Sequence, residues 1–119
     1  MPSSTALAGA ATAAFSAVFV AAPGLLLRPC GIAETRQTRA LARMVGARDV
    51  VLGLAMVAAA PGPAGRLAVA GRVGADCTDA AALAAGLARQ GRRGLVSASA
   101  VGWAPVCLGA GVLDERAGR

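Results

Sequence analysis

Hydrophobic residues in this chain run in long unbroken stretches rather than at the three-to-four spacing of a one-sided helix. No charged side chain occurs between residues 6 and 27, and none between 95 and 113. A bilayer core of about 30 Å needs about 20 helical residues at about 1.5 Å each, so both stretches match a membrane crossing. Two further apolar segments, residues 40–60 and 67–87, are interrupted by charge and separated by the turn Pro61-Gly62-Pro63-Ala64-Gly65. That turn reads as the tip of a tight helical hairpin. The pattern predicts an all-α protein, a four-helix transmembrane bundle, in one membrane domain over residues 1–119 with spans at about 6–27, 40–60, 67–87 and 95–113.

The two middle segments would not insert alone. A central Arg or Asp costs about 2.5 to 3.5 kcal/mol on insertion scales, and the third segment holds three such residues among near-neutral alanines. It spans only if its charged face is turned towards other helices. A soluble Ala-rich bundle is the competing reading, but a soluble helix needs a polar face and the two charge-free stretches have none. The basic n-region of a secretory signal is missing before Ala6. Pro23 would directly follow the best small-residue triplet, Val20-Ala21-Ala22, so the first segment is expected to be retained.

Composition narrows the chemistry. The chain has 119 residues, 56% of them hydrophobic and 15% charged, where soluble domains carry about 25% charged residues. It contains 32 Ala, no His, no Lys and no Tyr, and all 12 basic residues are Arg. A His-based triad, a His-ligated metal, a Schiff-base lysine and a tyrosine acid are thereby excluded. Neither a metal nor another cofactor is expected. The net charge of +6 would suggest nucleic acid, yet the arginines form no basic stripe with aromatics interleaved, so nucleic acid is not an expected partner. Cys30, Cys77 and Cys107 are odd in number and far apart, which fits packing residues better than a disulfide framework or a zinc site.

The arginines instead orient the chain. Residues 28–39 and 88–94 each hold three, and four spans put these two linkers on the same side. By the positive-inside rule that side is cytoplasmic, which places the protein in the plasma membrane with both termini outside. The lipid bilayer is the expected partner, with homo-oligomerisation or a larger membrane protein left open.

Six charges fall inside the middle segments: Arg43, Arg48 and Asp49 in the second, Arg72, Asp76 and Asp79 in the third. At about 100° per residue the latter three share an arc of roughly 60°. Asp49 shares a face with Ala42, Gly46 and Gly53, small residues whose spacing allows close helix contact. Arg48 and Asp49 stand 15 and 14 residues before Pro63, and Asp76 and Asp79 stand 13 and 16 after it. In an antiparallel hairpin these four share a depth, while Arg43 reaches the cytoplasmic interface by snorkelling. One reading makes the set a clamp that fixes the register of two helices. The other makes the surplus carboxylate the point, because three Asp beside two Arg should not all stay ionised. Asp49, Asp76 and Asp79 are then the candidate acid/base groups, and Arg48 and Arg72 the orienting, charge-pairing ones.

Gly46-Ala47-Arg48-Asp49-Val50-Val51-Leu52-Gly53, followed by an aspartate-bearing third span, resembles a domain-of-unknown-function family of small four-span membrane proteins with a G-x-R-D-x-x-L-G signature. The resemblance implies a four-helix membrane fold over nearly the whole chain and brings no established activity. Small multidrug transporters differ in relying on an acidic residue in the first span, quinone-reducing four-helix enzymes in needing C-x-x-C, and retinal or haem proteins in needing Lys or His. The expected function is a polar pocket, made by the Arg/Asp network, for a proton or a small or lipophilic ligand. Alternatives are a membrane-embedded acid/base enzyme of the epoxide hydrolase or cyclase type, by analogy with Asp-Arg-Asp sites, and a non-catalytic accessory subunit of a larger membrane protein.

Overall fold

The computed structural model describes residues 1–59, 61–86 and 93–118, and all their regular structure is helical: α1 (Ser4–Ala21), α2 (Gly24–Leu27), α3 (Arg36–Ala58), α4 (Pro63–Gly86) and α5 (Arg93–Ala117). Of the arginines that orient the chain, Arg89 and Arg92 lie outside the described residues, as do Ala60 and Leu87 at the expected ends of the middle segments.

The first expected span, residues 6–27, is not one helix. Pro23 has no N–H and bars the helical conformation at the residue before it. Ala22 accordingly leaves the helix at φ −131°, ψ 75°, after its N–H has closed the last turn on Val18 O at 2.7 Å. A single turn, α2, follows and buries Leu27, and the chain then reverses through Gly31 at φ 69°, where the Ile32 N–H returns to Leu27 O at 3.0 Å. Burial of Cys30 against Ile32 and Leu83 pins this turn to α4 and pushes its thiol pKa up.

The other long helices start earlier than expected, and α5 also ends later. α3 starts at Arg36 rather than 40, because Thr35 and Thr38 form a reciprocal cap. The Thr35 hydroxyl accepts from the Thr38 N–H at 3.1 Å, and the Thr38 hydroxyl accepts from the Thr35 N–H at 2.8 Å. α4 starts at Pro63 rather than 67; proline suits a first helical position, which needs no N–H, and Gly62 supplies the φ of +127° before it. α5 takes in Arg93 and the charged residues 114–116, beyond the expected 95–113.

The four long helices pack side by side, each antiparallel to its neighbours. α1 lies chiefly on α3 and α4 on α5, with α1 touching α5 and α3 touching α4 more lightly. Small residues make the α1–α3 seam. A methyl group on Gly9 would stand 2.5 Å from Gly53 O, and one on Gly53 2.6 Å from Gly9 O and 2.7 Å from Ala13 N. Gly46 packs against the Ser16 and Val20 turn in the same seam. The core where the pairs meet is Ala8, Met56, Val69, Cys107 and Ala110.

The usual placement of polarity is reversed in part. Arg72, Asp76, Thr12 and Ser16 are buried, while Phe15, Leu41, Met44 and Leu67 are each at least 60% exposed. Among the described residues one helix, Ser4–Ala21, is both long and apolar enough to cross a membrane by length and composition, a test that a signal sequence or the core helix of a soluble protein also passes. Length and composition alone therefore do not establish four spans.

Candidate functional site

Adjacent residues of α3 and one face of α4 build the site. Arg48 and Asp49 are about 100° apart on α3, so one leans towards α4 while the other points inward. On α4 the positions of Arg72, Asp76 and Asp79 stack over two turns.

The five expected residues meet. Arg48 Nη1 donates to Asp79 Oδ1 at 3.0 Å, and its Nη2 donates to Asp79 Oδ2. Arg48 Nε and Nη2 both donate to Asp49 Oδ1, at 3.0 and 2.8 Å. Arg72 Nη1 stands 3.0 Å from Asp49 Oδ2 on the opposite side of that carboxylate. Arg72 also grips Asp76 one turn on, Nε donating to Oδ2 at 3.1 Å and Nη2 to Oδ1. The order Asp79–Arg48–Asp49–Arg72–Asp76 alternates in sign and leaves one carboxylate in excess.

Burial deepens inward from Arg48: side-chain exposure is 37% at Arg48, 14% at Asp49, 7% at Arg72 and 4% at Asp76, with Asp79 at 24% beside Arg48 at the outer end. Arg72 Nη1 is fully enclosed and at ion-pair distance from Asp49, yet no acceptor is aligned with its N–H. Coulomb attraction survives such an angle; the hydrogen bond does not. At the buried end Arg72 and Asp76 abut the thiol of Cys107, which is wholly enclosed. No local pattern marks this neighbour, because Cys107 lies on α5, a separate helix from both Arg72 and Asp49.

Arg43 is not part of the network. Its Nε donates to Val20 O at 3.2 Å, capping a carbonyl that the break at Pro23 leaves without a helical partner. Gly46 and Gly53 do lie at a helix contact, but their partner is α1, whereas the ion network carries most of the polar contact between α3 and α4.

Two polar contacts tie α1 to α5. Asp114 accepts from the backbone N–H of Ser4 at 2.8 Å and of Thr5 at 2.7 Å, capping a helix from more than 100 residues away. Trp103 Nε1 donates to the Thr12 hydroxyl at 3.0 Å. Partial desolvation opposes ionisation of Asp114, but hydrogen bonds from Thr5, Ser4 and Ser3 outweigh it and hold the carboxyl at about 2.

Among the described residues, two spaces lie towards the hairpin end of the bundle, and no network side chain lines either. A cavity of about 200 Å³ lies between the hairpin tip and the end of α5, bounded by Thr5, Arg66, Val69 and Asp114. A shallow, open surface where α3 and α4 meet near the hairpin is lined wholly by Leu and Ala, the exposed Leu67 among them. Each network carboxylate is committed to a guanidinium, and no group of three or more His, Cys, Asp or Glu is placed to hold a metal ion among the described residues.

No family model, no curated protein and no solved structure matches the chain. The G-x-R-D-x-x-L-G resemblance thus rests on residues 46–53 and the Asp-bearing helix after them.

Proposed function

We propose that the chain is a small integral membrane protein, a four-span bundle in the plasma membrane, whose Arg48/Asp49/Arg72/Asp76/Asp79 network forms a polar centre for a proton or a small or lipophilic ligand. The observation that carries this reading is the partial reversal of polarity. A water-soluble fold hides its Leu, Met and Phe side chains and shows its charges; here Leu41, Met44, Leu67 and Phe15 face out and Arg72 and Asp76 face in. In lipid the exposed apolar belt costs nothing, and charges within the membrane pair with one another and face the helices. Six charges interrupt the middle segments, and five of them, all but Arg43, are turned on each other. Tight Gly–Gly and Gly–Ala contacts are also what joins helices where water cannot drive them together.

A specific observation favours the acid/base enzyme as second reading. Arg72 stands between two carboxylates, Asp49 and Asp76, the grouping in which one acid can donate a proton while the other stays ionised.

Extraction tests the membrane reading. The protein is expected to stay with the pellet when membranes are washed in alkaline carbonate and to be released only by detergent. Release by carbonate alone overturns it.

A further inference from the structure

Charge is shared unevenly between the two ends of the bundle. Where α1 stops and α3 begins, Arg28, Arg36, Arg39 and Arg43 are all exposed, and among the described residues Glu34 is the one carboxylate beside them. At the other end Arg66 and Arg116 stand with Asp114 and Glu115, and the charge balances.

The arginine end is one connected surface. Glu34 joins α2 to α3: Arg28 Nε donates to its Oε1 at 2.8 Å, and Arg39 Nε stands 3.9 Å from its Oε2. The same carboxylate lies close over Gly24, where a methyl group would come within 2.7 Å of Oε1. Arg43, one turn after Arg39, reaches across to Val20 O of α1 at 3.2 Å. Positions 36, 39 and 43 share an arc of about 60°. That arc and the α4-facing positions 48 and 52 lie on opposite flanks of the contact that Gly46 and Gly53 make with α1, so the arginines are turned away from α4. Further along the same arc come the exposed Leu54 and Val57.

The fold leaves these cations poorly neutralised. Like charges three and four residues apart repel on a helix, and cations at its start oppose its dipole, yet α3 has no acid in its first turn. Glu34 offsets one charge of the four. Arg28 and Arg43 are each anchored through Nε, and their Nη groups have no hydrogen-bond partner among the described residues. Guanidinium groups presented in this way match the oxygens of a phosphate. A free phosphate would answer the arginines alone, whereas a phospholipid also covers Leu54 and Val57 with hydrocarbon. A zwitterionic headgroup carries an ammonium that this end repels, so the charge selects an anionic one.

We propose that this end binds the headgroup of an anionic glycerophospholipid, its phosphate among Arg28, Arg36, Arg39 and Arg43 and an acyl chain along the flank of α3 below them. The proposal rests on the membrane reading and names the class of lipid, on the side that the positive-inside rule makes cytoplasmic.

Native mass spectrometry of the full chain in detergent tests it, with phosphatidylglycerol and phosphatidylcholine of equal chain length added at equal concentration. Each arginine beside an anionic headgroup contributes about a fivefold factor, so phosphatidylglycerol is expected to be retained at least about tenfold more tightly. Arg36→Gln and Arg39→Gln, both at exposed positions, should each lower that preference about fivefold. Arg66→Gln, at the opposite end, should leave it unchanged. Glu34→Gln should raise it, because the carboxylate competes for the same guanidinium groups. Equal retention of the two lipids, or a preference that survives the loss of both Arg36 and Arg39, overturns the proposal. Displacement of phosphatidylglycerol by an equal concentration of glycerol phosphate overturns it too, and assigns the arginines to a soluble anion. Carbonate extraction of the same chain separates the two readings. A protein that stays in the pellet without a lipid preference defeats this inference and leaves the membrane reading standing; one that carbonate releases defeats both.

Discussion

Asp76 and Asp79 sit three residues apart on one helix yet answer to different surroundings. Asp76 is enclosed and its two oxygens are held by Arg72; Asp79 is one-quarter exposed and held by the half-exposed Arg48. Breaking a buried pair costs about 3–5 kcal/mol: without Asp76 the enclosed Arg72 keeps only its unaligned contact with Asp49, whereas without Asp79 the more exposed Arg48 keeps two hydrogen bonds to Asp49. Asp76→Asn is therefore expected to unfold far earlier than the wild type in detergent, and Asp79→Asn by only a few degrees. Equal, large losses in thermal melts of both variants would make the whole network a clamp and remove the support for a functional centre. Under the enzyme reading the stable Asp79→Asn protein is the one in which to seek lost turnover.

Asp114 makes a different kind of prediction. Its folded pKa of about 2 lies below the usual carboxylate value of about 3.9, so its stabilisation is complete above pH 4. It is lost as the pH falls from about 4 through about 2, where the folded carboxyl takes up its proton. Melting temperature measured across that range should fall less steeply for Asp114→Asn than for the wild type, and the variant should be the less stable of the two near neutrality.

At the scale of elements, the two faces of α3 differ in how closely they meet their partners. Against α1 the backbone itself is the contact surface, and a methyl at Gly53 overlaps Gly9 O and Ala13 N. Overpacking of this kind costs about 1–3 kcal/mol, more than the roughly 1 kcal/mol of helix propensity that Gly→Ala restores. Gly9→Ala and Gly53→Ala should thus destabilise, while Gly71→Ala, in the open seam, should be neutral or stabilising by up to about 1 kcal/mol. Chemical unfolding of the three variants checks the order; a destabilised Gly71→Ala would mean that α3 and α4 close further than their geometry here allows. The ends of the elements were legible where chemistry is local, as with the Pro61–Gly65 turn. The Thr35/Thr38 cap was equally local and equally present in the sequence, but the apolar stretch alone was used to start the second segment. The charge-free pattern runs through Pro23 to residue 27, yet the helix ends before it because Ala22 leaves the helical conformation, and the chain reverses after one further turn at Gly31.

Over the whole molecule, placement of charge and placement of apolar surface point the same way. The described arginines of the Gly31 turn and the start of α3, Arg28, Arg36 and Arg39, gather at one end with Glu34 among them. The opposite end carries Arg66 paired with Glu115. Between the ends lies the belt of exposed Leu, Val, Met and Phe that carbonate extraction is expected to reveal as lipid-facing.

The sequence by itself determined that the chain is helical, that its hairpin turns at Pro61–Gly65, and that Arg48, Asp49, Arg72, Asp76 and Asp79 belong together. Helical periodicity and equal distance from a turn are local quantities, and both can be counted along the chain. Only the tertiary structure decided that Gly46 and Gly53 face α1, that Cys107 closes the deep end of the network, and that Asp114 caps α1. Each of these joins residues on helices whose mutual rotation no local pattern encodes. That rotation is set by which small side chains let two backbones touch, and it leaves the α3–α4 seam as the looser contact.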